Sequence, residues 1–161
     1  MPYSLPSLRK SSGLLLLASC LLAVPVAQAQ RAAGPDRPTD LLSASFHKQR
    51  RELVRQALPA GSVAVLFAAP VRNRANDVDF IYHQSPDFYY LTGYTEPEVV
   101  LVLFKEPQTI KGQSGVTEAL FVQPRNARAE QWTGRRLGTE GAKQQLQLQF
   151  VADNKEFADA S

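Results

Sequence analysis

Asp87–Phe104 reads D-F-Y-Y-L-T-G-Y-T-E-P-E-V-V-L-V-L-F, and this stretch decides the fold. Ser85-Pro86 just ahead of it is a helix start, with Ser at the N-cap and Pro at the first helical position, where no N–H is needed. Gly93 can leave that helix through a left-handed conformation. Pro97 marks a turn over Tyr94–Glu98. Behind it, the six apolar residues Val99–Phe104 read as a strand buried on both faces. One short aromatic helix is therefore clamped to one central strand.

Working outward, Ser43–Leu58 predicts a helix. Phe46, Leu53, Val54, Ala57 and Leu58 share one side, while Lys48, Arg50, Arg51 and Arg55 crowd the other. The basic run, with His47 among it, reads as a solvated face. Pro59-Ala60-Gly61 ends the helix. Ser62–Ala69 reads as a buried strand between Gly and Pro. Pro70–Asp77 is a polar loop at that strand's C-terminal end, where open α/β sheets place ligand-contacting groups. Asp79–Tyr82 reads as a short edge strand.

Past the central strand, Lys105–Thr117 carries Pro107, Gly112 and Gly115 and reads as a loop. Glu118–Val122 is a strand, Ala127–Trp132 a short helix ending at Gly134, and Thr139–Gln147 a helix capped by Thr139. Phe150-Val151 gives one more strand, and Asp153 caps a helix running to Ser161. Strands and helices alternate, which predicts an α/β fold: a mixed-sheet sandwich with flanking helices.

The first 29 residues have the pattern of a signal peptide. Arg9 and Lys10 precede an almost wholly apolar Gly13–Ala27, and Ala27-Gln28-Ala29 supplies a small-x-small cleavage site. The apolar run is shorter than the roughly 20 residues a spanning helix needs, and Pro25 interrupts it. The expectation is export to the periplasm or beyond, with no membrane span. Leu17-Ala18-Ser19-Cys20 also resembles a lipoprotein box that would leave a lipid on Cys20. The apolar run continues through Leu21–Ala27, however, which favours cleavage after Ala29. Residues 30–42, polar with two prolines and a glycine, read as a flexible leader, and residues 43–161 as the folded domain.

The formal charge of +3 over 161 residues falls to +1 without Arg9 and Lys10, since residues 1–29 hold no acid. That is no nucleic-acid footprint. Cys20 is the one cysteine, so a processed domain has no disulfide. A catalytic metal needs converging His, Asp, Glu or Cys. The chain offers two histidines, His47 and His83, and no metal-binding, phosphate-binding or dinucleotide motif. No catalytic residue is assigned. Two residues remain for a binding role. Trp132, in E-Q-W-T-G-R-R, is either core-packed or a surface aromatic of an interface or pocket wall. Asp77, in N-D-V-D, reads as a turn residue that matters if its loop faces a ligand.

Four ordered blocks resemble the N-terminal domain of the bacterial Xaa-Pro aminopeptidases, the aminopeptidase P family. They are G-S-V-A-V-L-F-A-A-P (Gly61–Pro70), D-F-Y-Y-L-T-G-Y-T-E-P-E with V-L-V-L behind it, A-L-F-V-Q-P-R (Ala119–Arg125) and A-E-Q-W-T-G-R-R-L-G (Ala129–Gly138). The resemblance implies a mixed-sheet domain that precedes a pita-bread catalytic domain. The latter holds two divalent metals, typically manganese, on two Asp, one His and two Glu. It cleaves the bond between an N-terminal residue and a following proline, the metals activating a shared water and polarising the carbonyl. None of those five ligands has a counterpart in this chain, which implies no cofactor here.

The resemblance also implies oligomer contacts through this domain. An aromatic of one subunit approaches a neighbour's active site, the position Trp132 occupies, with Asp77 at the position of a polar residue near the cleft. The expectation is the non-catalytic portion of an exported peptidase. The alternative is a stand-alone secreted binding or oligomerisation module.

Overall fold

The computed structural model describes residues 41–158. The expected signal peptide, Cys20, most of the expected leader and the last three residues of the expected terminal helix lie outside them. Helix α1 (Ala44–Ala57) is capped by Ser43, whose side chain accepts from the Phe46 N–H. Strand β1 (Val63–Phe67) follows, then a small hairpin of β2 (Asn73–Ala75) and β3 (Val78–Asp79). After α2 (Pro86–Thr92) come the two long strands β4 (Val100–Ile110) and β5 (Gln113–Val122). Helices α3 (Ala127–Thr133) and α4 (Gly138–Leu146) precede β6 (Phe150–Asp153) and a 3-10 turn over Asn154–Glu156.

The main sheet runs β1-β4-β5-β6, the first two pairings antiparallel and the last parallel. The expected mixed α/β architecture is the one found. Strand β4 is buried on both faces from Val100 to Leu103. Leu101, Leu103, Leu120 and Val122 point to one side, where Phe88 and Leu91 of α2 and Ala142 and Leu146 of α4 meet them, with Val54 and Leu58 of α1 packed alongside. Val100, Val102, Ala119, Phe121 and Phe150 point to the other. None of the described α-helices contributes a residue to this side. Ile110 and Val116 of the β4–β5 hairpin and Phe157 after β6 close part of it.

The reading of α2 holds through its C-terminus. Gly93 has φ +68°, and its N–H donates to Tyr89 O at 2.7 Å. Thr92 Oγ1 donates to Phe88 O at 2.7 Å and accepts from Tyr94 N at 3.0 Å. A Cβ on Gly93 would stand 2.7 Å from His47 Nε2. The glycine is thus needed twice, for the backbone turn and for the helix that crosses it.

Several expectations are corrected. The basic side of α1 is not a solvated face. Arg51 is fully buried and His47 nearly so, while Leu53, expected on the apolar side, is 54% exposed. His47 Nδ1 donates to Tyr90 O at 2.8 Å, and Arg51 pairs with Glu118. Tertiary partners on α2 and β5 bring His47 and Arg51 onto the inward face beside Val54 and Leu58 and leave Leu53 outside. Lys105–Thr117 is not a loop but the far end of the β4–β5 hairpin. Lys111 and Gly112, both at positive φ, form its two-residue turn, the geometry that matches strand twist. Gly115, at φ +77°, sits where β5 gains an extra residue as a bulge.

Strand β1 is half-buried on one face, through Ala64 and Leu66, and exposed on the other, through Val63, Val65 and Phe67. The Pro70–Asp77 loop carries β2. The edge strand expected over Asp79–Tyr82 extends no further than Asp79. Ser85 precedes α2 without a side-chain cap bond. Helix α4 starts at Gly138, so Thr139 is inside it rather than its cap. Asp153 does cap, but it caps the 3-10 turn, accepting from Lys155 N at 3.0 Å.

Candidate functional site

The motif blocks converge on Glu96. Its carboxylate accepts from Tyr94 Oη at 2.7 Å and from the Leu137 N–H, at the start of α4, at 2.8 Å. Its backbone carbonyl accepts from Gln84 Nε2 at 3.1 Å, and the Gln84 side-chain oxygen accepts in turn from Ala69 N, just after β1. Gln123 Nε2 reaches Pro97 O at 3.3 Å. A single carboxylate and two amides therefore tie the segment after β1, the α2–β4 turn, the end of β5 and the entry to α4. Tyr94 is fully buried, and burial, then its bond to Glu96, raise its phenol pKa well above the ordinary value. Gly138, at φ +63°, would place a Cβ 2.5 Å from Arg125 Cγ, so only glycine lets α4 begin against that arginine.

From this corner the chain presents two surface features. The first is α3. Asn126 caps it by accepting from the N–H groups of Arg128 and Ala129, and Glu130 returns the bond by accepting from Asn126 N. Arg125 grips the same Glu130 through two nitrogens at 2.9 and 2.7 Å, which lowers the Glu130 pKa. The helix buries none of its residues, yet it carries the sole tryptophan, 88% exposed. Of the two readings of Trp132, the core-packed one is excluded. Tryptophan is enriched among the residues that anchor interfaces.

The second feature is an open groove of about 830 Å³ between the β2–β3 hairpin and the start of α2. Arg72, Arg74, Tyr82 and His83 line it, beside the exposed Phe80 and Ile81. Asp77 is exposed at the hairpin tip next to Asn76, whose φ is +51°, so its turn reading holds. No hydrogen bond or ion pair among the described residues joins Asp77 to Trp132. The grooved segment was legible as a loop, but its cationic and aromatic lining was not read, because Arg72 and Arg74 come together with Tyr82 and His83 only once the hairpin folds. Glu96 likewise gave no signal of its corner role beyond its place in T-E-P-E.

The arrangement offers surfaces for contact. Among the described residues no group of three or more His, Cys, Asp or Glu could hold a metal ion. No described helix is long and apolar enough to cross a membrane.

These features define an α/β domain built on a mixed sheet, with an exposed aromatic helix and an open groove beside the Glu96 corner. The model of the family described as "Aminopeptidase P, N-terminal domain" matches residues 47–161, and the chain belongs to that family. It is 44% identical over 101 residues to the Xaa-Pro aminopeptidase of Escherichia coli K12, covering 63% of this chain and 22% of that protein. It is 36% identical over 121 residues to intermediate cleaving peptidase 55 of Schizosaccharomyces pombe, covering 74% and 24%. Among solved structures, E. coli aminopeptidase P with the inhibitor Pro-Leu superposes with a TM-score of 0.62 at 36% identity, over 71% of this chain and 25% of that one. The chain spans about a quarter of the length of these relatives.

Proposed function

We propose that this chain is the N-terminal, non-catalytic portion of an exported Xaa-Pro aminopeptidase, which removes an N-terminal residue preceding proline. Its part in the enzyme is to make contacts between subunits of a homo-oligomer and to shape the peptide cleft through Trp132 and Asp77. The observation that carries this reading is the exposure of Trp132 on a helix braced by Asn126, Glu130 and Arg125. An exposed tryptophan on a helix whose first turn is fixed by these three side chains supports a role in contact.

Two divalent metals, expected to be manganese, belong in this reading to a catalytic domain outside the chain. The described residues do not fit such a site. No step of hydrolysis is assigned to them. Export follows the signal-peptide reading, with cleavage after Ala29 in preference to lipidation of Cys20.

The test compares the 161-residue chain with the complete gene product. The complete product is expected to bind manganese and hydrolyse Xaa-Pro peptides, and the chain alone to do neither. Metal-dependent turnover by the chain alone, or none by a complete product, contradicts the proposal. Mass spectrometry of the exported N-terminus reads Gln30 or a diacylglycerol-modified Cys20.

A further inference from the structure

The groove beside the β2–β3 hairpin brings together two features that fit one ligand. The first is charge. Arg72 and Arg74 both line it, and among the described residues neither guanidinium makes a hydrogen bond or ion pair. Arg51, Arg55 and Arg125, by contrast, each hold a glutamate. The acid of the lining, Asp79, already accepts from Asn73 Nδ2 at 3.2 Å. Two guanidiniums thus face the groove against one engaged carboxylate.

The second feature is backbone. Phe80 N donates to Arg72 O at 2.9 Å, one residue beyond the β2–β3 ladder, and there the pairing stops. Ile81, Tyr82 and His83 make no backbone hydrogen bond among the described residues. The run is held in place all the same. Tyr82 Oη donates to Ala69 O at 3.1 Å, and the Gln84 amide that follows bonds Ala69 N and Glu96 O. A fixed stretch of backbone with its own donors and acceptors unpaired is an edge to which a peptide strand can add. Ile81, 86% exposed, and Phe80 beside it offer apolar contact to such a strand.

We propose that this groove binds a peptide bearing a carboxylate. The peptide lies along Ile81–His83 as an added strand, and Arg72 and Arg74 take the carboxylate through charge-assisted hydrogen bonds. A small anion would use the arginines and leave the unpaired backbone idle, whereas a neutral peptide would leave both guanidiniums without a counter-charge. The volume of about 830 Å³ lies within the roughly 300–1,000 Å³ of ligand sites. Every part of the site belongs to this chain, so it goes beyond the peptidase reading and is tested without hydrolysis.

The test is an NMR titration of the nitrogen-labelled 161-residue chain with three peptides. Acetyl-Thr-Val-Thr-Val-Glu-amide carries its carboxylate on a side chain. Acetyl-Thr-Val-Thr-Val-Gln with a free end carries it at the terminus, and the amide of that peptide is neutral. One or both of the charged peptides should shift the amide signals of Ile81, Tyr82 and His83, and the neutral one should bind about tenfold more weakly or less. Whichever charged peptide binds more tightly identifies the source of the carboxylate, and either result supports the proposal. Arg72→Gln combined with Arg74→Gln should weaken that binding by a similar factor, and Lys143→Gln, exposed on α4, should not. Unchanged signals from the main sheet show that the double variant is folded. Equal affinity for the neutral peptide, undiminished affinity in the double variant, or no shift at Ile81–His83 with any of the three overturns the proposal.

Discussion

Arg51 of α1 and Glu118 of β5 form a buried, two-bond ion pair, with Nε to Oε2 at 2.7 Å and Nη2 to Oε1 at 3.3 Å. The third donor, Nη1, reaches Leu91 O at the end of α2 at 2.9 Å. One guanidinium therefore locks the first helix to the sheet and to the helix of the Y-L-T-G-Y block. Breaking such a pair from one side leaves a charge buried without its partner. Glu118→Ala should cost about 3–5 kcal/mol, whereas the joint replacement Arg51→Met with Glu118→Leu should cost much less. Urea unfolding of the two variants checks this. A double variant as unstable as the single one would show that the pair is worth its desolvation.

Gly93 and Gly112 both need positive φ, but Gly93 alone is crowded. Alanine at Gly112 meets open space and should cost about 1–2 kcal/mol from the left-handed conformation alone. Alanine at Gly93 must also displace the His47 ring from 2.7 Å, and His47 is held by Tyr90 O. Its loss of stability should be clearly the larger. Equal melting temperatures for the two variants would mean that α1 does not bear on the end of α2.

Most of this fold was legible because local rules and tertiary context agreed over Asp87–Phe104. Pro86 starts a helix, Gly93 ends it, and the apolar run behind Pro97 is short enough to be a doubly buried strand. Where the two disagreed, the reading failed in definite ways. Pro107, Gly112 and Gly115 look like loop punctuation, though Gly112, with Lys111, builds a hairpin turn and Gly115 a bulge. Arg51 and His47 looked solvated because the partners that bury them are 67 and 43 residues away. At the candidate site, Trp132 could be singled out but not placed, since a helix that buries nothing carries no apolar periodicity to orient it. The Glu96 corner was invisible, because its contacts span up to 41 residues.

Tyr94 links the corner to pH. Its pKa is raised in the folded protein, so above the ordinary tyrosine value near 10 the unfolded chain loses this proton and the folded one keeps it. The unfolded state then binds fewer protons, and stability falls as pH rises. Below about pH 10 this contribution is fully present. Tyr94→Phe removes the titration, so its stability should decline less steeply between about pH 10 and 11 than that of the parent. It should also be less stable near neutrality by about 1.5–3 kcal/mol through loss of the bond to the Glu96 carboxylate. Denaturant midpoints across pH give both quantities. Parallel declines would contradict the buried, Glu96-bound phenol.

Trp132 carries the central claim, that this domain serves an enzyme by contact. In the complete gene product, Trp132→Ala should lower Xaa-Pro peptide turnover while leaving the melting temperature nearly unchanged, because the side chain is 88% exposed and α3 buries no residue. A core tryptophan cut to alanine would instead cost about 3–5 kcal/mol. The decisive measurement is steady-state hydrolysis of a Xaa-Pro peptide by this variant beside its thermal melt. Impaired turnover with an unaltered melt is the result predicted. Full turnover with an unaltered melt would contradict the account.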